Sequence, residues 1–372
     1  MTSKDRIIVS KTVLLPNSTS CSSADDGADA SMCHSADSSN SKSLNLMMIS
    51  CEENPPYGPS KDTAIMFLEL LCQAYERKCS LLSTTVSESE MSREQQRANG
   101  GGDTILTISI TVYHAQSNND YPLTSSEWSS YDGVLIPGSL SAAYDTHIEW
   151  IEKLQSVIRN DIHKMRLKTM GVCFGHQCFA HAFGTHKEDG GREEQAIKCP
   201  TGSKAGRICC ELTQEGRQLL LLDDNSDKCN MEMLYTHGDM VHSLPEFAIS
   251  LGGNANVPIE ACAYFSSKEE KILFQKQQQR QTTTPTNGDD NNNETSTTVR
   301  PYAVTFQAHP EYISPTGFNV NYLNTVKVME DRGYITQQLL EEVCEDARVN
   351  FEKVQGDSLD AMIAVATIFG WF

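Results

Sequence analysis

Residues 169–184, "TMGVCFGHQCFAHAFG", decide the fold. An apolar lead-in reaches Gly171, Cys173 follows, and Gly175 opens a run with helical character. A G-x-C-x-G step between strand and helix is a sharp turn that lifts its central side chain to the carboxyl edge of a sheet. The flanking glycines remove Cβ atoms that would collide with the strand or the helix. A thiol placed there sits at a helix N-terminus, where the dipole favours the thiolate. The segment alone leaves two readings: an activated nucleophile, or a buried cysteine in a glycine-rich turn.

Strand and helix signals alternate around this turn. "LNLMMIS" (44–50) reads as a buried strand, "DTAIMFLELLCQAY" (62–75) as a helix, and β-branched "TILTISITVY" (104–113) as a strand. "YDGVLIPGS" (131–139) is a short strand ending in a Pro-Gly turn, and "YDTHIEWIEKLQSVIRNDI" (144–162) is an amphipathic helix. Apolar strands separated by helices predict an α/β fold, a mostly parallel sheet flanked by helices. Beyond residue 200 the pattern adds strands at "GRICCELT", "MEMLYTH", "FAISLG", "EACAYF", "EKILFQ" and "PYAVTFQAH". These are expected to be additional antiparallel strands in the C-terminal half. Helices near 316–331 and 336–353 close the chain.

Two tracts read as disordered. Residues 17–43 are Ser, Asp and Ala, and residues 275–299 are Gln, Thr and Asn, too poor in large apolar side chains to offset ordering entropy. The expected organisation is a disordered extension over 1–43 and a domain over 44–372. Within that domain 275–299 is a disordered insertion between two strands, and 316–372 carries the C-terminal helices. The formal net charge of −19 argues against nucleic acid or anionic membrane as partner. No run approaches the ~18 apolar residues of a membrane helix, and the N-terminal apolar patch is interrupted at Ser10, Lys11 and Thr12, a poor signal peptide. The 13 cysteines are an odd number with no C-x-x-C pair, which fits free thiols in a reducing compartment such as the cytosol. No Cys or His pair has ligand spacing, so neither a metal nor a cofactor is expected.

A nucleophilic thiol needs a proton partner, and "FQAHPEY" (306–312) offers one. His309 and Glu311 are two apart, so on an extended chain both point to one side. His309 can pair with Cys173 while Glu311 orients the imidazole. A structural histidine at a strand end is the alternative.

"GVCFGHQ" together with "AHPEY" resembles the class I (triad) glutamine amidotransferases, and "DGVLIPGS" and "YTHGDMVHSLP" resemble two further segments of that family in the same order. "GSLSAAYDTHIEWIEKLQSVI" and "HGDMVHSLPEFAISL" resemble its stand-alone members related to the glutaminase part of GMP synthase, plant γ-glutamyl peptidases among them. The resemblance implies a flavodoxin-like glutamine amidotransferase fold and attack of Cys173 on a γ-glutamyl amide to give a thioester. His309 and Glu311 then complete a catalytic triad. It also implies an oxyanion site at the N–H groups of Phe174 and the Gly138–Ser139 loop, where the family often has a second glycine in place of Ser139. Gln177 matches a position that holds the glutamyl group, or is an ordinary first-turn helix residue. His237 and Asp239 line up with a pocket-forming segment or form an exposed turn. His176 and His181 read as structural or surface residues.

Three functions follow. One is a hydrolase of glutamine or a γ-glutamyl peptide such as a glutathione derivative. Another is a glutaminase subunit feeding ammonia to a partner synthase. The third is a non-catalytic binding module. No phosphate loop of the GxxxxGK[ST] type accompanies the candidate triad, so the hydrolase acting on a small γ-glutamyl substrate is the leading expectation.

Overall fold

Side chains alternate across a strand, so a strand covered on both faces must be apolar throughout. From Leu46 onward, strand β2 (Asn40–Ser50) meets this demand. Its Leu44, Leu46 and Met48 enter one core and Met47 and Ile49 the other, all buried. The protein is seen in a computed structural model that describes residues 6–15, 40–54, 58–88, 104–145, 147–184, 194–222, 228–282 and 298–372. Among these residues, strands β1 (Ile8–Leu15), β3 (Thr104–His114), β4 (Gly133–Ile136) and β5 (Thr169–Val172) join β2 in one ten-stranded sheet. It is completed by β7 (Lys204–Leu212), β8 (Asn230–His237), β10 (Ala248–Gly253), β11 (Ala261–Tyr264) and β12 (Ala303–Phe306). The order is β1-β3-β2-β4-β5-β12-β11-β10-β7-β8. Strands β3, β2, β4, β5 and β12 are parallel to one another, and the strands from β11 onward pair antiparallel. Short β6 (Ala196–Lys198) and β9 (Asp239–Val241) form a separate antiparallel pair. The result is a flavodoxin-like α/β sheet with an antiparallel extension.

One face is covered by α1 (Ser60–Glu88), whose Phe67, Leu70, Leu71 and Ala74 recur at helical spacing and are buried. The other is covered by α2 (Glu149–Val157), through Trp150, Ile151 and Leu154, and by α3 (Phe174–His181). Burying each such large side chain stabilises the fold by about 1.5–3 kcal/mol, and Leu70→Ala should cost about 2–5 kcal/mol. Helix α4 (Gln214–Leu220) follows β7.

Three sequence expectations are corrected. "EKILFQ" is not a strand but the start of helix α5 (Lys268–Thr282). Ser267 Oγ caps it by accepting from the Glu270 N–H, and Glu269 and Glu270 complement the dipole at its first turn. Of its apolar triplet only Phe274 is buried, against Phe265, while Ile272 and Leu273 stay exposed. So short an apolar run does not distinguish strand from helix. The helix continues through Gln275–Thr282, so that part of the expected disordered insertion is ordered, as Gln and Lys are good helix formers. Residues 283–297 lie outside the described residues. Residues 8–15 are not disordered either: they form the edge strand β1, antiparallel to β3, with Val9 and Val13 buried. Ser10 and Thr12, which break the apolar patch in sequence, alternate onto its exposed face, as an edge strand permits. Residues 40–43 belong to β2, and 16–39 lie outside the described residues.

The C-terminal segment forms a π-helical turn at Gly317–Tyr322, then α6 (Leu323–Asp331), α7 (Gln337–Val349) and the largely buried α8 (Phe351–Phe369).

Candidate active site

Cys173 sits between β5 and α3 with φ 51° and ψ −105°, a conformation that costs a non-glycine residue energy. Its N–H donates to the Phe306 carbonyl at 2.8 Å, so β12 fixes the turn. A Cβ on Gly175 would lie 2.1 Å from the Ile136 carbonyl oxygen at the end of β4. A Cβ on Gly171 would lie 2.9 Å from Thr305 Cγ2 on β12. Both glycines are therefore required by the close crossing of α3 over the strands. The thiol is nearly buried, lies 4.0 Å from the Thr236 carbonyl, and lines a cavity of about 270 Å³.

His309 and Glu311 lie at the end of β12, both buried, with the His309 Nδ1 and Glu311 Oε1 atoms 2.7 Å apart. The segment is not extended as the spacing argument assumed. Pro310–Ile313 is a 3₁₀ turn, and the turn brings the two side chains together. The Tyr312 ring stacks on the imidazole at 4.2 Å, and the His309 N–H donates to the Leu234 carbonyl at 2.9 Å. Burial works against a charged imidazole. The influence of Tyr312, Glu311 and the Cys173 thiol outweighs it and raises His309 well above the ordinary histidine value. Nε2 has no hydrogen-bond partner of regular geometry, so it is the nitrogen left for chemistry.

Ser139 and Gly138 are buried at the exit of β4, and Phe174, the first residue of α3, packs on Trp150 at 5.4 Å. The Ser139 loop is held by a residue that sequence reasoning missed. Glu52, 4% exposed, accepts from Ser139 Oγ at 3.3 Å and the Leu140 N–H at 3.1 Å through Oε2. Its Oε1 accepts from the Glu53 N–H, the Asn54 N–H and Asn54 Nδ2. The signal lay in strand pairing: β2 runs parallel to β4 with Met48 opposite Leu135, which carries Glu52 toward Ser139. Ligand sites of parallel sheets gather at such carboxyl ends.

Gln177 lines the same cavity, and its amide nitrogen donates inward, to the Asp239 carbonyl at 2.9 Å and Gln307 Oε1 at 3.0 Å. It thereby fixes the His237–Asp239 segment. His237 is buried, donates from Nδ1 to the Asp239 carbonyl at 2.8 Å, and leaves Nε2 without a partner. Burial lowers its pKa to about 4, so its free nitrogen is an acceptor at the cavity it lines. Tyr144 donates to Asp239 at 2.7 Å, and burial raises that carboxyl. His176 and His181 are structural: His176 is fully buried between Thr305 and the Ile259 carbonyl, and His181 accepts from the Ala196 N–H.

Residues 105–326, more than half of the chain, match the family described as glutamine amidotransferase class-I. The chain belongs to that family. It is 30% identical over 142 residues to "Putative glutamine amidotransferase YLR126C" of Saccharomyces cerevisiae, 37% of this chain and 50% of that protein. It is 29% identical over 143 residues to gamma-glutamyl peptidase 5 of Arabidopsis thaliana, covering 36% and 49%. The chain thus spans about half the length of these curated relatives. A glutamine amidotransferase of Thermotoga maritima superposes with a TM-score of 0.47 at 12% identity, covering 88% of this chain and 98% of that one. The elbow, the Ser139 loop and the His309–Glu311 turn all fall inside the matched domain. No helix among the described residues is long and apolar enough to cross a membrane.

Proposed function

We propose that this class-I glutamine amidotransferase domain is a cysteine hydrolase of γ-glutamyl amide bonds, with Cys173, His309 and Glu311 as its triad. The observation that carries the reading is the buried His309–Glu311 pair, its imidazole raised toward the protonated form, next to a cysteine strained into a cavity. The names of the plant relatives point to the same bond.

With its proton on His309, the sulfur attacks the γ-carbonyl carbon. The N–H groups of Phe174 and of the Gly138–Ser139 loop hold the oxyanion. The C–N bond breaks, His309 gives its proton to the departing amine, and a γ-glutamyl thioester remains. Water then attacks the thioester, His309 takes the water's proton, and glutamate leaves as the sulfur is released. Glu311 keeps the imidazole in one orientation and balances its charge throughout.

Glutamate release from glutamine and from γ-glutamyl peptides tests this. Wild type turns over at least one of them, and Cys173→Ala lowers the rate by about 10⁴-fold or more. A folded wild type that releases glutamate from none overturns the proposal.

A further inference from the structure

The cavity beside Cys173 has a second wall. Thr325, Met329 and Arg332 lie at i, i+4 and i+7 along α6 and its last turn, and all three line the cavity, followed by Tyr334. Such spacing is one helix face. The face is graded: Thr325 and Met329 are buried, and Arg332 is exposed at the mouth. The Thr325 hydroxyl is buried with no hydrogen-bond partner, although it lines a polar cavity. Arg332 has no ion pair among the described residues, in a chain whose net charge is −19. A guanidinium left unpaired at the mouth of a cavity in so acidic a chain is a carboxylate receptor by its chemistry.

We propose that this face of α6 is the leaving-group subsite, with Arg332 taking a carboxylate borne by the departing amine. The proposal rests on Cys173 being the nucleophile. The glutamyl half of the substrate is short, and its charged groups stay within four carbon–carbon bonds of the reacting carbonyl carbon. In this arrangement they stay on the side of the cavity lined by Cys173 and His237, whose Nε2 is a neutral acceptor. The seven-residue step from Thr325 to Arg332 spans about 10 Å along the helix. Two extended residues span about 7 Å, so a leaving dipeptide, threaded past Thr325 and Met329, brings its C-terminal carboxylate within reach of the long Arg332 side chain. The substrate class is a γ-glutamyl peptide with a free C-terminal carboxylate, and Arg332 is the residue that selects it.

The test compares γ-glutamyl-alanyl-glycine as the free acid and as the C-terminal amide. Wild type should show kcat/KM about tenfold or more higher for the acid, the worth of one charge-assisted contact. Arg332→Ala should bring the acid-to-amide ratio close to one, and Arg332→Lys should restore part of it. Cys173→Ala, which binds without turning over, should take the acid about tenfold more tightly than the amide. Equal kcat/KM and equal Kd for acid and amide overturn the inference. So does an Arg332→Ala variant that loses both substrates in the same proportion, because the guanidinium then serves the glutamyl half or the fold. Acid-selective binding without glutamate release from any substrate would keep the subsite and remove the hydrolase reading instead.

Discussion

The wall of the cavity that carries Cys173 and the wall formed by α6 differ in how their polar groups are partnered. On the first, Glu52 accepts five hydrogen bonds, Gln177 spends its amide nitrogen on two carbonyl oxygens, and Tyr144 secures Asp239. Among the groups described above, His237 Nε2, on a residue that lines the cavity, and the buried His309 Nε2, Glu311 Oε2 and Gln307 Nε2 stand open. On the second wall the Thr325 hydroxyl has no partner and Arg332 no ion pair among the described residues. A wall whose dipoles are already fixed suits chemistry, because no reorganisation is left for the moment of reaction. A wall whose groups await partners suits recognition, because a ligand lacking the matching group leaves them unpaired.

The strongest way to break this contrast is to loosen the first wall. Glu52→Ala removes every acceptor that holds Ser139 and Leu140 to the β2 exit, so kcat should fall about 100-fold, the usual cost of a lost oxyanion donor. Alkylation of Cys173 by iodoacetamide needs no oxyanion donor and should keep its wild-type rate. If kcat and alkylation fall together, Glu52 supports the whole elbow and not the loop. A smaller effect sharpens the view of the elbow itself. Cys173→Gly and Cys173→Ala both remove the thiol, but only glycine accepts φ 51° freely. The glycine variant should be about 1–3 kcal/mol more stable than the alanine variant in urea unfolding. Equal stability would mean that the turn stores no strain.

The first wall was largely legible in the sequence and the second was not. Cys173, His309 and Glu311 announce themselves because each lies in a local pattern, glycines around a turn or a pair two residues apart. Glu52 does not, since it meets Ser139 across 87 positions and only the pairing of β2 with β4 connects them. The face of α6 was visible as helix, but which of its sides meets a cavity depends on packing against strands far away in the chain. The misread segments failed for the same reason. Nothing local says that Phe274 alone of its triplet is buried, or that β3 offers a free edge to Ile8–Leu15.

The expected effect furthest from the reacting groups lies behind the first wall. Glu260 is buried, and Tyr235 Oη and Asn254 Nδ2 donate to it at 3.1 and 2.7 Å. Tyr235 in turn packs against His237, with ring centroids 5.8 Å apart. Burial raises the Glu260 carboxyl to about 7, against the opposing hydrogen bonds from Tyr235, Cys210 and Asn254. Between about pH 4.5 and 7 the unfolded chain has therefore lost this proton while the folded chain still holds it. The folded state binds more protons, so this group's contribution to stability is full below that window and declines as pH rises through it. The decline should be on the order of 2–3 kcal/mol by pH 8. Glu260→Gln cannot ionise and keeps an oxygen for one of the two donors, so urea unfolding at pH 5 and pH 8 should show a flatter pH dependence than wild type. The same slope in both proteins would mean that Glu260 ionises alike in the folded and unfolded chains. The first wall would then be preorganised independently of the Glu260 charge, through Glu52, Gln177 and Tyr144.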